Sequence, residues 1–317
     1  MFSGLGSQYV GMGRGLFESD VRFRANLVRC DDAAALTFGH GFLEPLFPVR
    51  SERGAVLADT GLAMAALFSF QYALARTLIE RGAEPDRLLG YSLGEFVALT
   101  VAGAMSLERA LAILAHLERV LASDIGAGRG GMTAVLAGRE LMEHHPERFR
   151  GCTLAGVNSQ QNFIVAGSCE ALDTCEVALG ADRVVHQRLA VEYAFHSPVV
   201  EGAGARFASG IATRFAPIRI PVILCSDPTP LQVPTLESLW RAVRAPADFV
   251  NRTAPLCEDP VACFLDLGPS GTLASALKGR VDPRRAVAVV NPFTSAAPDL
   301  DGIAELHGES SNVAARV

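Results

Sequence analysis

The sequence has no paired cysteines, no surplus of positive charge, no signal-like start and no internal repeat. Each absence excludes a class of function. Its seven cysteines are an odd number, with no C-x-x-C pair and no neighbouring histidine cluster. That argues against a disulfide framework or a zinc site, and for buried thiols in a reducing cytoplasm. A net charge of -6 leaves no global basic footprint, so nucleic acid is not an expected partner. Local basic patches could still meet an acidic partner, at Arg183 with Arg188 and at Lys278, Arg280, Arg284 and Arg285. Solvated surface charge is the better explanation of any single one of them. The first residues lack the basic start and apolar core of a signal peptide, and no long uncharged apolar run suggests a membrane span. A soluble cytoplasmic protein is expected.

What is present is ordinary globular composition: 317 residues, 50% hydrophobic and 20% charged. That suits one large domain or two smaller ones. Ala58 to Arg81 reads as a long apolar helix, and Arg87 to Gly90 as a short buried parallel strand. Glu95 to Met105 is a second helix, and Ser106 is the N-cap of a third that runs to about Ala122. The glycine-rich "DIGAGRGG" then reads as a hinge. Beyond it the elements run β-α-β-β-α-β, with strands at Met132–Gly138, Cys152–Val157, Phe163–Gly167 and Arg183–Val191. That order is the one of a small ferredoxin-like unit. After it come a helix over Pro198–Phe215, a strand over Val222–Cys225, a helical Leu236–Leu256 broken near Pro246, and a strand over Cys263–Leu267. The expected organisation is therefore a large domain from 1–125 and 192–293, an insert over 126–191, and a poorly ordered tail over 294–317.

The chemistry gathers at "LLGYSLGEF". Strand, then G-x-S-x-G, then helix is the context of a nucleophile elbow, with Ser92 at its tip. Small neighbours on each side avoid collision with the strand and the helix. The helix N-terminus favours negative charge developing nearby. Such a serine needs a base, because its free hydroxyl is a poor nucleophile at neutral pH. Seven histidines are available. His40 lies in a polar loop, His144 and His145 on a surface helix, and His307 in the tail. His186 falls in a strand and His116 on a helix, while His196 sits where a strand gives way to a helix. Position alone does not choose among them.

Five stretches in order, "FSGLGSQYVGMG", "GYSLGEF", "LAGVNSQQNFIVAGS", "YAFHSP" and "LDLGPSGTLASALK", resemble the acyl-carrier-protein acyltransferase family over about residues 1–293. That family includes malonyl-CoA transacylases and the acyltransferase domains of polyketide synthases. The resemblance implies an α/β fold, an α/β-hydrolase-like large domain with an inserted ferredoxin-like small domain. It implies Ser92 as acyl-accepting nucleophile, His196 as its base, and the N–H groups of Leu5 and Leu93 as the oxyanion hole. The family has glutamine where Leu5 stands, but an amide N–H does not depend on the side chain. It steadies its histidine through a backbone carbonyl, and alignment of "RAPADFV" makes Asp248 the nearest candidate for that role. No metal and no permanently bound cofactor are implied. The substrate arrives on phosphopantetheine, borne by CoA or by a carrier-protein domain of a polyketide synthase, and the enzyme is expected to act as a monomer. Where the family has a full strand before the glycine loop, this chain has only Met1-Phe2. That strand is either trimmed or unusually short.

Departures from the family's pattern concern the acyl pocket. Malonyl-selective members carry an arginine at the position of Leu117, twenty-five residues after the serine. A substrate carboxylate buried against leucine lacks its partner, at a cost of several kcal/mol. Arg119 is a poor substitute, since two residues along a helix turn it roughly 200° away. Met64 replaces a glutamine and Tyr91 a histidine, and Phe195 adds a further apolar wall. A branch of the family that lacks the arginine hydrolyses acyl groups from carrier proteins in trans-acyltransferase polyketide synthases, and "YAFHSP" and "DLGPSGTLA" are similar to it. Three readings follow: a proofreading acyl hydrolase, an acyltransferase between CoA and carrier or between carriers, and a catalytically silent docking module. Retention of both Ser92 and His196 weighs against the last.

Overall fold

Among the described residues, four helices precede the first strand: α1 (Arg14–Ser19), α2 (Val21–Phe38), α3 (Leu43–Leu46) and α4 (Thr60–Glu80). The computed structural model describes residues 1–49, 57–212, 214–290 and 298–305. Strand β1 (Leu88–Gly90) leads into α5 (Leu93–Val101) and α6 (Leu107–Asp124). The Asp59 carboxylate accepts the Leu62 N–H at the start of α4, and Ser106 Oγ accepts the Arg109 N–H at the start of α6. Each cap satisfies a donor that a helix start leaves free. By length and hydropathy α4 could cross a membrane, yet 78% of its apolar window is buried in the protein. It is a core helix, apolar on nearly every side.

The next stretch forms its own sheet from β2 (Gly130–Val135), α7 (Glu140–His144), β3 (Cys152–Ser159), β4 (Asn162–Ser168), α8 (Cys169–Ala181) and β5 (His186–Arg188). Its strand order is β5-β2-β4-β3, with antiparallel neighbours throughout. This is the ferredoxin-like arrangement that the β-α-β-β-α-β order requires. Val135, Phe149, Phe163, Val165, Leu172 and Leu179 close a small core of their own between the sheet and its helices.

The chain then returns through α9 (Gly204–Ser209), β6 (Val222–Leu224), α10 (Leu236–Arg244), β7 (Ala247–Asp248), α11 (Phe249–Glu258), β8 (Phe264–Asp266), α12 (Thr272–Ala276) and β9 (Ala286–Ala288). Strand β6 pairs parallel with β1, and β9 with β8. Residues 1 and 2 join these two pairs. The Phe2 N–H donates to the Leu89 carbonyl (2.8 Å), the Tyr91 N–H to the Phe2 carbonyl (3.0 Å), and the Leu267 N–H to the Met1 carbonyl (3.0 Å). Met1-Phe2 thus occupies the central strand position between β1 and β8. Strand β7 pairs instead with β3, extending the small sheet.

Several expected elements are shorter than their apolar runs suggest. The helix expected over Pro198–Phe215 is a 3-10 turn (Pro198–Ala203) followed by α9, which stops at Gly210. The break expected near Pro246 within Leu236–Leu256 is present: α10 and α11 are separated by β7, because Pro246 cannot donate a helical N–H. The last strand of the insert spans only His186–Arg188. Of the tail expected to be poorly ordered, residues 298–305 are folded, with Leu300 and Ala304 buried in the large core and Asp301 paired to Arg81. Two apolar residues four apart on a helical turn suffice to dock it. Positions 294–297 and 306–317, His307 among them, lie outside the described residues.

The site depends on one tight crossing of backbones. A Cβ on Gly94 would lie 2.0 Å from the Phe2 carbonyl oxygen, and one on Gly90 would lie 2.4 Å from the Glu95 Cα. Neither neighbour is a flexible side chain that could move aside. Gly94→Ala should therefore lower the melting midpoint by about 5 °C or more, the scale of a steric clash costing a few kcal/mol. Gly202→Ala, where an added Cβ meets nothing within 4 Å, should leave it within about 2 °C, since open surface positions tolerate change. Thermal unfolding followed by circular dichroism checks both.

Candidate active site

Ser92 lies two residues after the end of β1 and immediately before the first turn of α5, with φ 56° and ψ −121°. Non-glycine residues pay on the order of 1–3 kcal/mol for such backbone, and the crossing of Phe2 with Gly94 holds it there. The glycine loop runs alongside: a Cβ on Gly4 would sit 2.8 Å from the Ser92 Cβ. Ser92 remains half-buried, with its side chain turned away from capping its own helix.

His196 is the histidine brought to it. Its Nε2 is 2.8 Å from Ser92 Oγ, and its Nδ1 is 2.6 Å from the Ala245 carbonyl oxygen. A carbonyl only accepts, so Nδ1 carries the proton and donates it. Nε2 is then a bare lone pair that accepts the Ser92 Oγ–H. The backbone is anchored as well, since the His196 N–H donates to the Val243 carbonyl (2.9 Å). Burial of the ring, 2% exposed, pushes its pKa down to about 4 against the opposing pull of the Ala245 carbonyl. At neutral pH the ring is neutral, the state that can take a proton from serine.

Asp248, the expected orienting residue, has a different job. It caps α11, where its carboxylate accepts the Asn251 N–H (3.0 Å) and the Asn251 Nδ2–H (2.6 Å). The orienting atom is a backbone oxygen three residues earlier, and no side chain marks it. One signal could have found it: Pro246. A residue before proline is driven out of helical geometry, and Ala245 ends α10 at φ −79°, ψ 146°. That frees its carbonyl from the helix to face His196.

The two N–H groups expected to form an oxyanion hole are both unspent among the described residues. Leu93 opens α5, so its N–H has no intrahelical acceptor. The Leu5 N–H makes no hydrogen bond to another described residue. Buried polar side chains that the sequence reading passed over pin the Leu5 loop. Gln71, fully buried on the apolar α4, accepts the Ser3 N–H (2.6 Å) and donates to the Ser3 carbonyl (3.1 Å). Gln8 accepts the Gly6 N–H (2.7 Å) and donates to the Ala190 carbonyl (3.0 Å). An amide in the middle of an apolar helix was the available signal for Gln71, because buried polar groups are almost always partnered.

The expected pocket residues divide. Met64, Leu117 and Phe195 are buried in one contiguous apolar cluster that also contains Leu93, with Leu5 packed against it. Tyr91 is not among them. It packs on Phe249, Cys225 and Leu89 in a separate cluster, with its hydroxyl against the Gly156 backbone of β3. Its ring therefore packs toward β3 and α11, not into the large apolar core that holds Leu117. Arg119 is exposed and lines a small surface cavity with Phe38, His40 and Asp59. It does not supply the guanidinium that Leu117 lacks. No group of three or more His, Cys, Asp or Glu able to hold a metal occurs among the described residues.

With this geometry in place, comparison with known proteins is informative. The acyl transferase domain family matches residues 1–304. The polyketide biosynthesis acyltransferase homolog PksD of Bacillus subtilis (strain 168) is 30% identical over 307 residues, covering 96% of this chain and 94% of that protein. The polyketide biosynthesis protein ThaF of Burkholderia thailandensis is 35% identical over 322 residues, covering 99% of this chain but 28% of that longer protein. Among solved structures, the acyl transferase domain of SpnD, in complex with 2-(pent-4-yn-1-yl)malonyl, is similar with a TM-score of 0.81 and 30% identity over 98% of this chain and 74% of that one.

A depressed histidine sets the pH response. Acylation of Ser92 by a p-nitrophenyl ester should stay level as pH falls through 6.5 and decline only toward about 4. Stopped-flow release of nitrophenol measures it, and an acid limb centred near 6.5 contradicts the buried geometry. The unfolded chain binds that proton first, so the ring's contribution to stability is complete above about pH 6.5 and is lost as pH falls toward about 4.

Proposed function

The chain belongs to the acyl transferase domain family, and from that premise we propose that it is a serine thioester hydrolase that clears acyl groups from the carrier proteins of polyketide biosynthesis. The observation that carries the catalytic part is the Ser92–His196 hydrogen bond of 2.8 Å with Nδ1 held by the Ala245 carbonyl. Ser92 Oγ attacks the thioester carbonyl of an acyl-phosphopantetheine while Nε2 takes its proton. The tetrahedral oxyanion is held by the Leu5 and Leu93 N–H groups. Collapse expels the thiol, which receives the proton back from Nε2. Water, deprotonated by the same nitrogen, then attacks the acyl-serine and releases the free acid.

The apolar surroundings support the choice of acyl group. Leu117 and Met64 stand at the positions where the resemblance expects a cation and an amide, both are buried and apolar, and Arg119 is exposed at a separate surface cavity. An uncompensated carboxylate in such a place costs several kcal/mol, so acetyl and longer uncharged acyl groups are the substrates of this reading. Transfer between carriers is the second reading. It shares every step through the acyl-serine and differs only in the final nucleophile, a thiol in place of water. The printed names of the relatives, acyltransferase homolog and acyl transferase domain, favour it.

Incubation with acetyl-, longer acyl- and malonyl-carrier protein, followed by intact mass spectrometry of carrier and enzyme, separates the two. Free carrier appearing without any acceptor supports hydrolysis. An acyl group that persists on Ser92 until a second carrier arrives supports transfer. Leu117→Arg should raise malonyl loading relative to acetyl by about tenfold or more, the equivalent of one charge-assisted hydrogen bond. Malonyl as the best substrate of the unmodified enzyme would sink the reading of Leu117.

A further inference from the structure

Four residues of the elbow, Ser92-Leu93-Gly94-Glu95, spell the S-x-x-E pattern of a helix capping box. In that motif the serine oxygen accepts the N–H three residues on, and the glutamate reaches back to the N-cap N–H. Neither happens here. Ser92 makes no side-chain cap bond, and its Oγ faces His196 instead. Glu95 turns across to a different element. Its Oε1 accepts the Ser226 N–H (2.8 Å) and its Oε2 the Ser226 Oγ–H (2.6 Å). Glu95 is completely buried and Ser226 is 7% exposed. A buried carboxylic group is costly unless its hydrogen bonds are made, and both oxygens of this one are engaged by Ser226, with the Cys225 backbone adding to them.

Ser226 follows the end of β6, and the backbone beside it links both halves of the site. The Cys225 N–H donates to the Gly90 carbonyl (3.2 Å), immediately before the elbow. The Cys225 carbonyl accepts the Asp248 N–H (2.9 Å), three residues after Ala245. Ala245 in turn accepts the His196 Nδ1–H. Residues 225–226 therefore stand between the strand end that displays Ser92 and the segment that orients its base. We propose that Glu95 and Ser226 are positioning residues for the reaction, a buried brace that fixes the Ala245 carbonyl, and through it the His196 ring, relative to Ser92. The proposal rests on the Ser92–His196 chemistry above and adds to it the group that holds its two halves in register. Burial, ahead of the opposing Ser226 bonds, pushes the Glu95 pKa up to about 8, so near neutrality a glutamine is a close mimic. Its amide can accept the Ser226 N–H and donate to Ser226 Oγ.

The test uses Glu95→Leu, Glu95→Gln and Ser226→Ala in the full chain. Single-turnover acylation of Ser92 by an acetyl carrier protein is read by rapid-quench intact mass. The Nδ1–H proton resonance of His196 is read by NMR. Glu95→Leu should slow acylation by about tenfold or more at saturating carrier with KM changed less than about twofold, the pattern of lost orientation, not lost binding. It should also shift or abolish the Nδ1–H resonance. Glu95→Gln should recover most of the rate and the resonance. Ser226→Ala, which keeps the backbone N–H bond, should fall between them. A folded Glu95→Leu with wild-type rate and resonance overturns the brace, and so does a glutamine variant as impaired as the leucine one. Should Glu95→Leu not fold, Ser226→Ala decides: an unchanged rate and resonance reject the proposal. If the unmodified enzyme forms no acyl-Ser92, the catalytic reading is what fails, and the resonance still reports on the brace.

Discussion

Backbone packed directly on backbone at the elbow is the constraint on which the rest depends. Residues 1–2, the end of β1 and the first turn of α5 share one small space, where the Phe2 carbonyl approaches Gly94 too closely for any side chain. The same contact sets the positive φ of Ser92, fills the central position of the parallel sheet and leaves the Leu93 N–H free at the helix start. Strain at one residue is tolerable because neighbours on three elements over-determine its conformation. The two glycines of G-x-S-x-G are thus explained by distances. Each is the only residue that fits where another stretch of main chain already lies.

The base is built with little charge. A carbonyl, not a carboxylate, accepts the Nδ1–H of His196, so no ion pair is buried with it. A buried carboxylate beside an imidazole raises its basicity, whereas burial with a neutral partner lowers it. The ring therefore stays neutral well below the usual histidine range. Proline chemistry supplies the carbonyl: Pro246 ends α10 one residue after Ala245, and the released oxygen points at the ring. His196 itself is held in a left-handed backbone conformation (φ 58°). Nucleophile and base thus both occupy backbone that ordinary residues avoid, each held by the packing of other elements.

Local patterns were legible in the sequence, and non-local partners were not. The elbow could be read because a strand, two glycines and a helix lie within nine residues. The small sheet could be read because its β-α-β-β-α-β order leaves few ways to pair the strands. Ser92 and His196 are 104 residues apart, and only the family resemblance singled out that histidine among seven. The orienting group was assigned to Asp248 because side chains are visible in a sequence and carbonyls are not. Tyr91 reads as a pocket residue because the family has histidine before the serine, yet its ring packs on Phe249 with its hydroxyl against the Gly156 backbone of β3. Gln71 and Glu95 were overlooked for the same underlying reason. A buried polar residue has meaning only once its partner, here Ser3 or Ser226, is known.

Charge distribution ties the elbow to substrate choice. Around Ser92 lie a neutral imidazole and the unspent Leu93 N–H, and the residues that the resemblance gives to the acyl pocket, Met64, Leu117 and Phe195, are buried in the large apolar core. The one acidic side chain on the elbow helix, Glu95, is turned to the other side and bonded to Ser226. On the proposed reading such a site stabilises one negative charge, the oxyanion that forms briefly at the Leu5 and Leu93 N–H groups. A permanent carboxylate on the acyl chain would compete for the same positive potential without a cation of its own. A neutral acyl group leaves that potential to the transition state. On the proposed reading the apolar residues and the uncharged base act in the same direction, each favouring an acyl chain that carries no charge into the site.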